Sequence, residues 1–247
     1  MAGHSKWANT KFRKEAQDKK RGKLFTRFIR EITIAVKQNG PEPNNNPRLR
    51  SAIDKALDGN LTRDAIDRAI KRAIGNEEKD LEEITYEGYG PQGIAVMVEC
   101  LTDNKTRAVS NVRHMFTKHG GNLGVDGSVS YLFNKEGHIV LKPKVALTKE
   151  QLDNIMDTAI NLEASDLEQQ QELILITTEP KDLNNIKLAL EQKFENLIKV
   201  ENAEITIIAK NYIKPDNDDV LNKIIKFLDA LEDLDDVQNV YSNADLA

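Results

Sequence analysis

The hydrophobic periodicity of this chain changes once, near Ile84. Before that point, apolar residues recur at intervals of three and four, which is the spacing of amphipathic helices. After it, short β-branched runs alternate with helical stretches, which is typical of strands connected through helices. The pattern therefore predicts an α+β protein with a helical amino-terminal part and a larger part built on sheets.

Three amphipathic helices are predicted before Ile84. Pro47 is placed to open the second helix, and Thr62 is placed to cap the third. Helices this short are stable only when their apolar faces pack together, so we expect a three-helix bundle. A polar arm is expected at residues 1–20 and a charged linker at 76–83. The predicted helix bounds are about 20–38, 47–58 and 63–74.

The middle of the chain predicts a complete small α/β unit. Its elements follow the order βαββαβ, which is the order of ferredoxin-like domains. Thr148 and Gln151 form a predicted capping box at the start of its first helix. The predicted strands are 138–141, 164–167, 173–177 and 197–200, and the predicted helices are 148–161 and 182–194.

The segments on either side of this unit each predict half of another one. The first half has strands at 94–101 and 129–133 around a helix at 106–118. The second half has strands at 204–209 and 237–241 around a helix at 216–228. Joined, the halves give a second ferredoxin-like unit into which the middle unit is inserted. The alternative is two tandem half-units with separate small sheets.

The expected architecture is therefore α+β, with an amino-terminal three-helix bundle and two ferredoxin-like α/β domains, one inserted into the other. The predicted helical domain covers 1–78. The predicted split α/β domain covers 79–134 and 203–247, and the predicted inserted domain covers 135–202.

Charge is distributed very unevenly along the chain. Residues 1–30 contain ten basic and two acidic residues, whereas the whole chain has a formal charge of −5. Up to Arg72 there are 18 basic and 8 acidic residues, so the remainder carries a net charge of −15. A basic segment on an acidic chain points to a polyanionic partner.

The amino-terminal cations are candidate nucleic-acid contacts, because Lys and Arg neutralise phosphates and release counterions. Trp7 and Phe12 lie among them and can stack on bases. In the first predicted helix, the cations fall opposite the apolar side, so we expect them to be presented to solvent. A solvated basic face and a membrane-surface helix are the alternatives. The candidates are Lys6, Trp7, Lys11, Arg13, Lys14, Lys19, Lys20, Arg21, Lys23, Arg27 and Arg30.

Three other stretches have some of the features of a binding site. Lys105, Arg107 and Arg113, on the helix predicted at 106–118, form a secondary basic patch that is equally consistent with a solvated surface. The glycine-rich stretch 120–128 resembles a phosphate loop, but it lacks the lysine and the strand-to-helix setting of one, so a turn is expected. The acidic stretch 229–236 is expected to be a solvated surface.

Catalytic and metal-binding signatures are not apparent in the sequence. The four histidines do not have metal-ligand spacing, and Cys100 is the one cysteine. We therefore expect no enzyme activity, no metal, no cofactor and no small-molecule substrate. No apolar run has the roughly 18 residues needed to span a membrane, and the amino terminus lacks a secretory signal. A reducing, cytoplasmic location is expected.

Short motifs along nearly the whole chain resemble the YebC/PmpR family. The opening stretch, Met1-Ala2-Gly3-His4-Ser5-Lys6-Trp7-Ala8-Asn9, is similar to the start of that family. The other matching motifs, in family order, are Lys20-Arg21-Gly22-Lys23, Ile29-Arg30-Glu31-Ile32, Asn46-Pro47-Arg48-Leu49-Arg50, Tyr86-Glu87-Gly88-Tyr89-Gly90-Pro91, Glu99-Cys100-Leu101-Thr102-Asp103-Asn104 and Gly120-Gly121-Asn122-Leu123-Gly124.

The resemblance implies a three-domain, cytoplasmic, non-enzymatic protein. Family members are described as DNA-binding transcriptional regulators, and others as translation factors that act at the ribosome on proline-rich stretches. The resemblance also adds Arg48 and Arg50 as nucleic-acid contacts. The chain departs from the family pattern at Thr10, Phe12, Thr106 and Ala108, and Phe12 weakens any specific contact at its position.

Three functions remain open from the sequence. The first is a sequence-tolerant DNA-binding regulator of transcription. The second is a ribosome-associated factor whose basic helices bind rRNA or tRNA, and the third is a protein-interaction scaffold that works through its acidic α/β part. No helix-turn-helix with an obvious base-reading helix is apparent, which favours recognition of the nucleic-acid backbone or shape.

Overall fold

The computed structural model describes residues 21–75, 80–170 and 172–246. This part of the chain is α+β, as predicted. Its α-helices are α1 (Arg21–Asn39), α2 (Pro47–Asp58), α3 (Arg63–Ile74), α4 (Lys105–Lys118), α5 (Lys149–Asn161), α6 (Leu183–Lys193) and α7 (Asp218–Glu232). Its strands are β1 (Glu82–Tyr89), β2 (Ala95–Thr102), β3 (Asn122–Leu123), β4 (Phe133–Pro143), β5 (Asp166–Gln170), β6 (Leu173–Thr178), β7 (Ile198–Ala209) and β8 (Val237–Ser242).

Helices α1, α2 and α3 bury a shared core of Ile, Leu and Ala side chains. Asn46 fixes the entry into α2, because its side-chain oxygen accepts from the Leu49 N–H while its amide donates to the carbonyls of Ala35 and Gly40. The Thr62 side chain caps α3, as the sequence predicts. Local capping and apolar spacing are therefore sufficient to explain the bundle.

The first sheet joins segments from both ends of the chain. Its strand order is β3-β1-β2-β8, and all of its pairings are antiparallel. The pairing of β2 with β8, which the insertion hypothesis requires, is present, with Val98 opposite Val240. Helices α4 and α7 supply Phe116 and Phe227 to the core beside this sheet, where the two rings meet edge to face.

The second sheet has the order β5-β6-β4-β7 and is also antiparallel. With α5 and α6 it follows the predicted βαββαβ order. The capping box of Thr148 and Gln151 is confirmed at the start of α5. The described residues divide into two compact units, one formed by those up to Leu132 together with those from Asn211, and the other by those within Phe133–Lys210.

Two predictions about strands next to the middle unit are wrong: the position of the strand predicted at 129–133, and the division between the strands predicted at 197–200 and 204–209. Residues 130–132 form a 3₁₀ turn, and β4 starts after it at Phe133. The strands predicted at 197–200 and 204–209 are one strand, β7, which pairs with β4 along its length. The polar residues between the two apolar runs do not make a turn. Glu201 is instead accommodated as a bulge, where the register shifts between Val140 and Leu141.

A strand was also missed before β2. The glycines at 88, 90 and 93 favour a turn over 86–93, but the structure has only a 3₁₀ turn at Pro91–Gly93, and β1 occupies Glu82–Tyr89. Gly88 belongs inside this strand, because a side chain there would meet the Asn122 carbonyl at 2.6 Å. The strands of the two sheets therefore occupy equivalent positions, and β1 takes the place in the first sheet that β6 takes in the second. In the first sheet this strand comes first along the chain, so the order of elements differs from the predicted βαββαβ.

Candidate nucleic-acid interface

Several predicted contact residues lie outside the described part of the chain. Arg21 is the first described residue of α1. The side chains that follow it in α1 are placed by the structure and can be compared with the expectation that they face solvent. The candidates outside the described residues are Lys6, Trp7, Lys11, Arg13, Lys14, Lys19 and Lys20.

The cationic side of α1 contacts the carboxyl end of α7. Lys23 donates to the main-chain carbonyl of Asp233, and its Nζ lies 3.8 Å from the Asp233 carboxylate. Arg27 donates to the carbonyl of Glu232, and Arg30 donates to the carbonyl of Asp235. Carbonyls at the carboxyl end of a helix lack intrahelical donors and carry partial negative charge, so Lys23 and Arg27 supply hydrogen-bond donors and positive charge to the end of α7.

This contact corrects two expectations. Lys23, Arg27 and Arg30 do not form a face presented wholly to solvent, because Arg27 is held by the last residue of α7 and Lys23 and Arg30 are held by the turn after it. The acidic stretch 229–236 is also not simply solvated, since Glu232 is 8% exposed and Asp236 is 3% exposed. Burial lowers the pKa of Arg27, and the nearby charges of Glu232 and Asp233 oppose that shift.

Asp236 connects the helical bundle to α4. Its two carboxylate oxygens accept from Nε and Nη2 of Arg107 at 3.0 and 2.7 Å. Arg30 approaches the same carboxylate at 3.9 Å. Arg107 also donates to Asp103 at 2.7 Å, and the hydrogen bonds to Asp236 and Asp103 raise the pKa of Arg107. Arg107 is thus held in a fixed position by paired carboxylates.

Arg48 is likewise engaged within the protein. Its Nε donates to Glu31 at 2.8 Å, its Nη1 donates to Gln38 at 2.8 Å, and its Nη2 donates to Glu83. Burial disfavours its charge, but the hydrogen bonds and charges of Glu31 and Glu83 outweigh burial and raise its pKa. Arg48 therefore links α1 and α2 to β1.

The remaining predicted cations are more exposed. Arg50 donates to the main-chain carbonyls of Pro43 and Asn44 in the loop before α2. In the secondary patch, Lys105 pairs with Glu82 at 2.5 Å, and both side chains are more than half exposed. Arg113 is exposed on the body of α4. The patch thus contains two cations with carboxylate partners and one directed to solvent.

Main-chain N–H groups at the end of the glycine-rich stretch, and just after it, bind a carboxylate of the protein itself. The Glu87 carboxylate accepts from the main-chain N–H groups of Gly127, Val129 and Ser130 at 3.0, 2.7 and 2.8 Å. Burial raises the pKa of Glu87, but these hydrogen bonds outweigh burial and hold it below its ordinary value. This turn therefore binds the Glu87 carboxylate through its main-chain N–H groups, and the expectation of a turn is confirmed.

The described residues offer few groups for other chemistry. No cluster of three or more His, Cys, Asp or Glu side chains there is arranged to hold a metal. Cys100 is buried, and desolvation, with the charges of Asp236 and Glu99, raises its pKa to about 12. Its thiol therefore stays neutral at neutral pH. In the same residues, no helix has the length and apolarity to cross a membrane.

Sequence reasoning missed the carboxylates that organise these contacts. Asp236 and Glu87 were not singled out, because each lies in a stretch that resembles an exposed turn or acidic surface. The sequence does contain one signal for Asp236. The cations of α1 recur at intervals of four and three residues, and the run 229–236 supplies an opposite charge of similar density.

Two family models together match almost the whole chain. The model described as TACO1/YebC protein N-terminal domain matches residues 5–76. The model described as TACO1/YebC second and third domain matches residues 81–244. The first match covers the bundle, and the second covers both sheets.

Relatives of similar length support the same assignment. The probable transcriptional regulatory protein IL1088 of Idiomarina loihiensis is 51% identical over 249 residues, covering 100% of this chain and 96% of that protein. The probable transcriptional regulatory protein lpl1249 of Legionella pneumophila is 48% identical, covering 100% of this chain and 97% of that protein.

A solved structure agrees with the fold. The crystal structure of the conserved hypothetical protein Aq1575 from Aquifex aeolicus matches with a TM-score of 0.76 and 44% identity. The match covers 91% of this chain and 90% of that one. From the sequence motifs, the two family models and these relatives, the chain belongs to the TACO1/YebC family.

Proposed function

We propose that this protein is a non-enzymatic regulator of gene expression that binds nucleic acid, and that it acts on DNA as a regulator of transcription. The names of the full-length relatives support a regulatory role. The observation that carries the nucleic-acid part is the charge of the amino-terminal segment. Residues 1–21 contain seven basic and two acidic residues on a chain whose total charge is −5.

The internal contacts distinguish four of the predicted cations from those that precede Lys23. Lys23, Arg27, Arg30 and Arg48 are held by partners within the protein, so we assign them mainly to positioning the bundle. The cations that precede Lys23 carry the proposed phosphate contacts, with Trp7 as a stacking side chain. This segment leads into α1, which is anchored to the end of α7. A nucleic-acid backbone bound by the segment would therefore lie near this anchored helix.

The proposed binding is dominated by phosphate contacts and tolerates different sequences. Lys and Arg side chains neutralise phosphates irrespective of the base. Trp7 adds stacking, which every base can accept. Regulation of particular genes would then depend on the shape or accessibility of the DNA, or on another protein bound nearby.

The first test compares binding by two variants of the full chain. Replacing Lys19, Lys20 and Arg21 with Ala is expected to weaken binding to a mixed-sequence duplex at least about tenfold, because three phosphate contacts are lost. The matched control replaces Lys142, Lys149 and Lys181, three exposed lysines of the second unit. Fluorescence anisotropy with a labelled duplex measures both variants.

The control variant is expected to bind like the unchanged protein. Equal binding by all three proteins would contradict the assignment of the amino-terminal segment. Crosslinking in cells then separates the possible targets. Recovery of genomic DNA supports regulation of transcription, whereas recovery of rRNA or tRNA alone would replace it with action at the ribosome.

A further inference from the structure

Helix α4 differs in charge from every other α-helix in the described residues. It contains four cations and no carboxylate, whereas the other described α-helices each contain at least one Asp or Glu. Its buried side packs Ala108, Val112 and Phe116 against the sheet. The opposite side is therefore free of negative charge on a protein that is acidic as a whole.

The two cations in the first turn of α4 have structural partners. Lys105 pairs with Glu82, and Arg107 is held by Asp236 and Asp103. Arg113 and Lys118, further along the helix, are exposed and have no carboxylate within salt-bridge distance among the described residues. The part of the helix able to bind an external anion is thus its second half, to which the patch predicted from sequence contributes only Arg113.

The exposed side chains around Arg113 and Lys118 are arranged as a strip between these two cations. At about 100° per residue, Arg113 and Lys118 lie about 140° apart around the helix. Ser110, His114 and Thr117 fall between them, and all three are exposed. Small hydrogen-bonding groups flanked by cations complement a nucleic-acid groove, where base edges are flanked by two rows of phosphates.

The second unit provides an internal comparison. Helix α5 occupies the same place in its sheet as α4, since each helix leads from the third strand of the sheet order to the first. Yet α5 exposes Glu150, Asp153 and Asp157. The fold therefore does not require a basic helix at this position, so folding alone does not explain the positive charge of α4.

We propose that the exposed face of α4, centred on Ser110 and Thr117 and flanked by Arg113 and Lys118, binds in the major groove of duplex DNA. This inference rests on the proposed function and adds a second contact surface to the amino-terminal segment. The major groove of B-form DNA admits an α-helix. The deep, narrow major groove of A-form RNA does not, so the surface discriminates between the two duplexes.

The test measures the salt dependence of binding by the full chain with Arg113 and Lys118 both replaced by Ala. The probes are a mixed-sequence DNA duplex and an RNA duplex of the same sequence. Loss of two phosphate contacts is expected to lower DNA affinity at least about tenfold and to reduce the slope of log K against log salt by about 2.

Two further variants control this experiment. The pair Arg113→Lys and Lys118→Arg retains both charges and is expected to keep the slope. The pair Lys142→Ala and Lys149→Ala removes two exposed cations from the second unit and is expected to bind as the unchanged protein does. Unchanged unfolding midpoints verify that each variant is folded, which is expected because all of these side chains are exposed.

The outcomes separate this inference from the proposed function. If the unchanged protein binds DNA and the Ala pair binds equally well with the same slope, the α4 surface is overturned while the proposed function stands. Tighter binding of the RNA duplex, with the Ala pair weakening only that complex, overturns the DNA assignment. Failure of the unchanged protein to bind either duplex overturns both.

Discussion

Glu87 shows how one side chain can determine the shape of a loop. Its carboxylate accepts three main-chain N–H groups from the turn between β3 and β4. These hydrogen bonds stabilise the charged form, so the pKa in the folded protein lies below its ordinary value of 4.5. Its stabilising effect is therefore complete above pH 4.5 and declines as the pH falls towards the lowered pKa.

Replacing Glu87 with Gln is expected to lower the free energy of unfolding at pH 7 by about 1–3 kcal/mol, because a charged acceptor is lost and an amide N–H₂ faces main-chain donors. The difference between the two proteins is expected to shrink below pH 4.5, where the unfolded carboxylate becomes protonated. Urea unfolding at several pH values measures this. The control is Glu150→Gln, which changes an exposed side chain of α5. If the loss in the free energy of unfolding caused by Glu87→Gln did not depend on pH, the account would be contradicted.

At the scale of elements, the central feature is the attachment of α1 to the end of α7. Cations one and two turns apart on α1 bind carbonyls at positions 232, 233 and 235, and Asp236 holds both Arg30 and Arg107. This attachment brings basic residues from one end of the chain together with an acidic segment near the other.

Replacing Asp236 with Asn is expected to destabilise the first unit by about 1–3 kcal/mol, because a buried carboxylate is removed from two arginines. Asp235→Asn is the matched control, since that side chain is exposed and its main-chain carbonyl still accepts from Arg30. Urea unfolding compares the two variants. Equal stability would show that Asp236 does not link α1 to α4.

The same elements show which parts of the fold could be predicted. Helices with local caps, such as those begun by Thr62 and Thr148, were predicted because their signals lie within a few residues. Strand β1 was missed because Gly88 resembles a turn residue, although it is required by the approach of β3. Strand β7 was divided because a bulge at Glu201 cannot be distinguished from a turn by composition.

Prediction of the candidate site was limited in the same way, because contacts between distant parts of the chain leave no local signal. The excess of cations in residues 1–30 is visible in the sequence, but their internal partners are not. Arg27 and the carbonyl it binds at Glu232 are separated by 205 residues, and no local pattern reports such a contact. The basic charge of α4 was visible, whereas the pairing of Lys105 and Arg107 and the exposure of Lys118 required the fold.

At the scale of the whole molecule, basic and acidic residues are segregated along the chain but meet at one internal contact. The net charge up to Arg72 is +10 and that of the remainder is −15. Part of the positive charge is used to attach the bundle to the acidic turn after α7. We propose that the cations before Lys23, together with Arg113 and Lys118 of α4, contact a nucleic-acid backbone.

The slope of log K against log salt for the unchanged protein on a DNA duplex tests this division most directly. Contacts to about six to ten phosphates predict a slope between about −5 and −9, because each neutralised phosphate contributes about −0.9. The measurement requires Kd values at four or five salt concentrations between about 50 and 200 mM. A slope near zero, with binding still detectable, would contradict binding through a phosphate backbone.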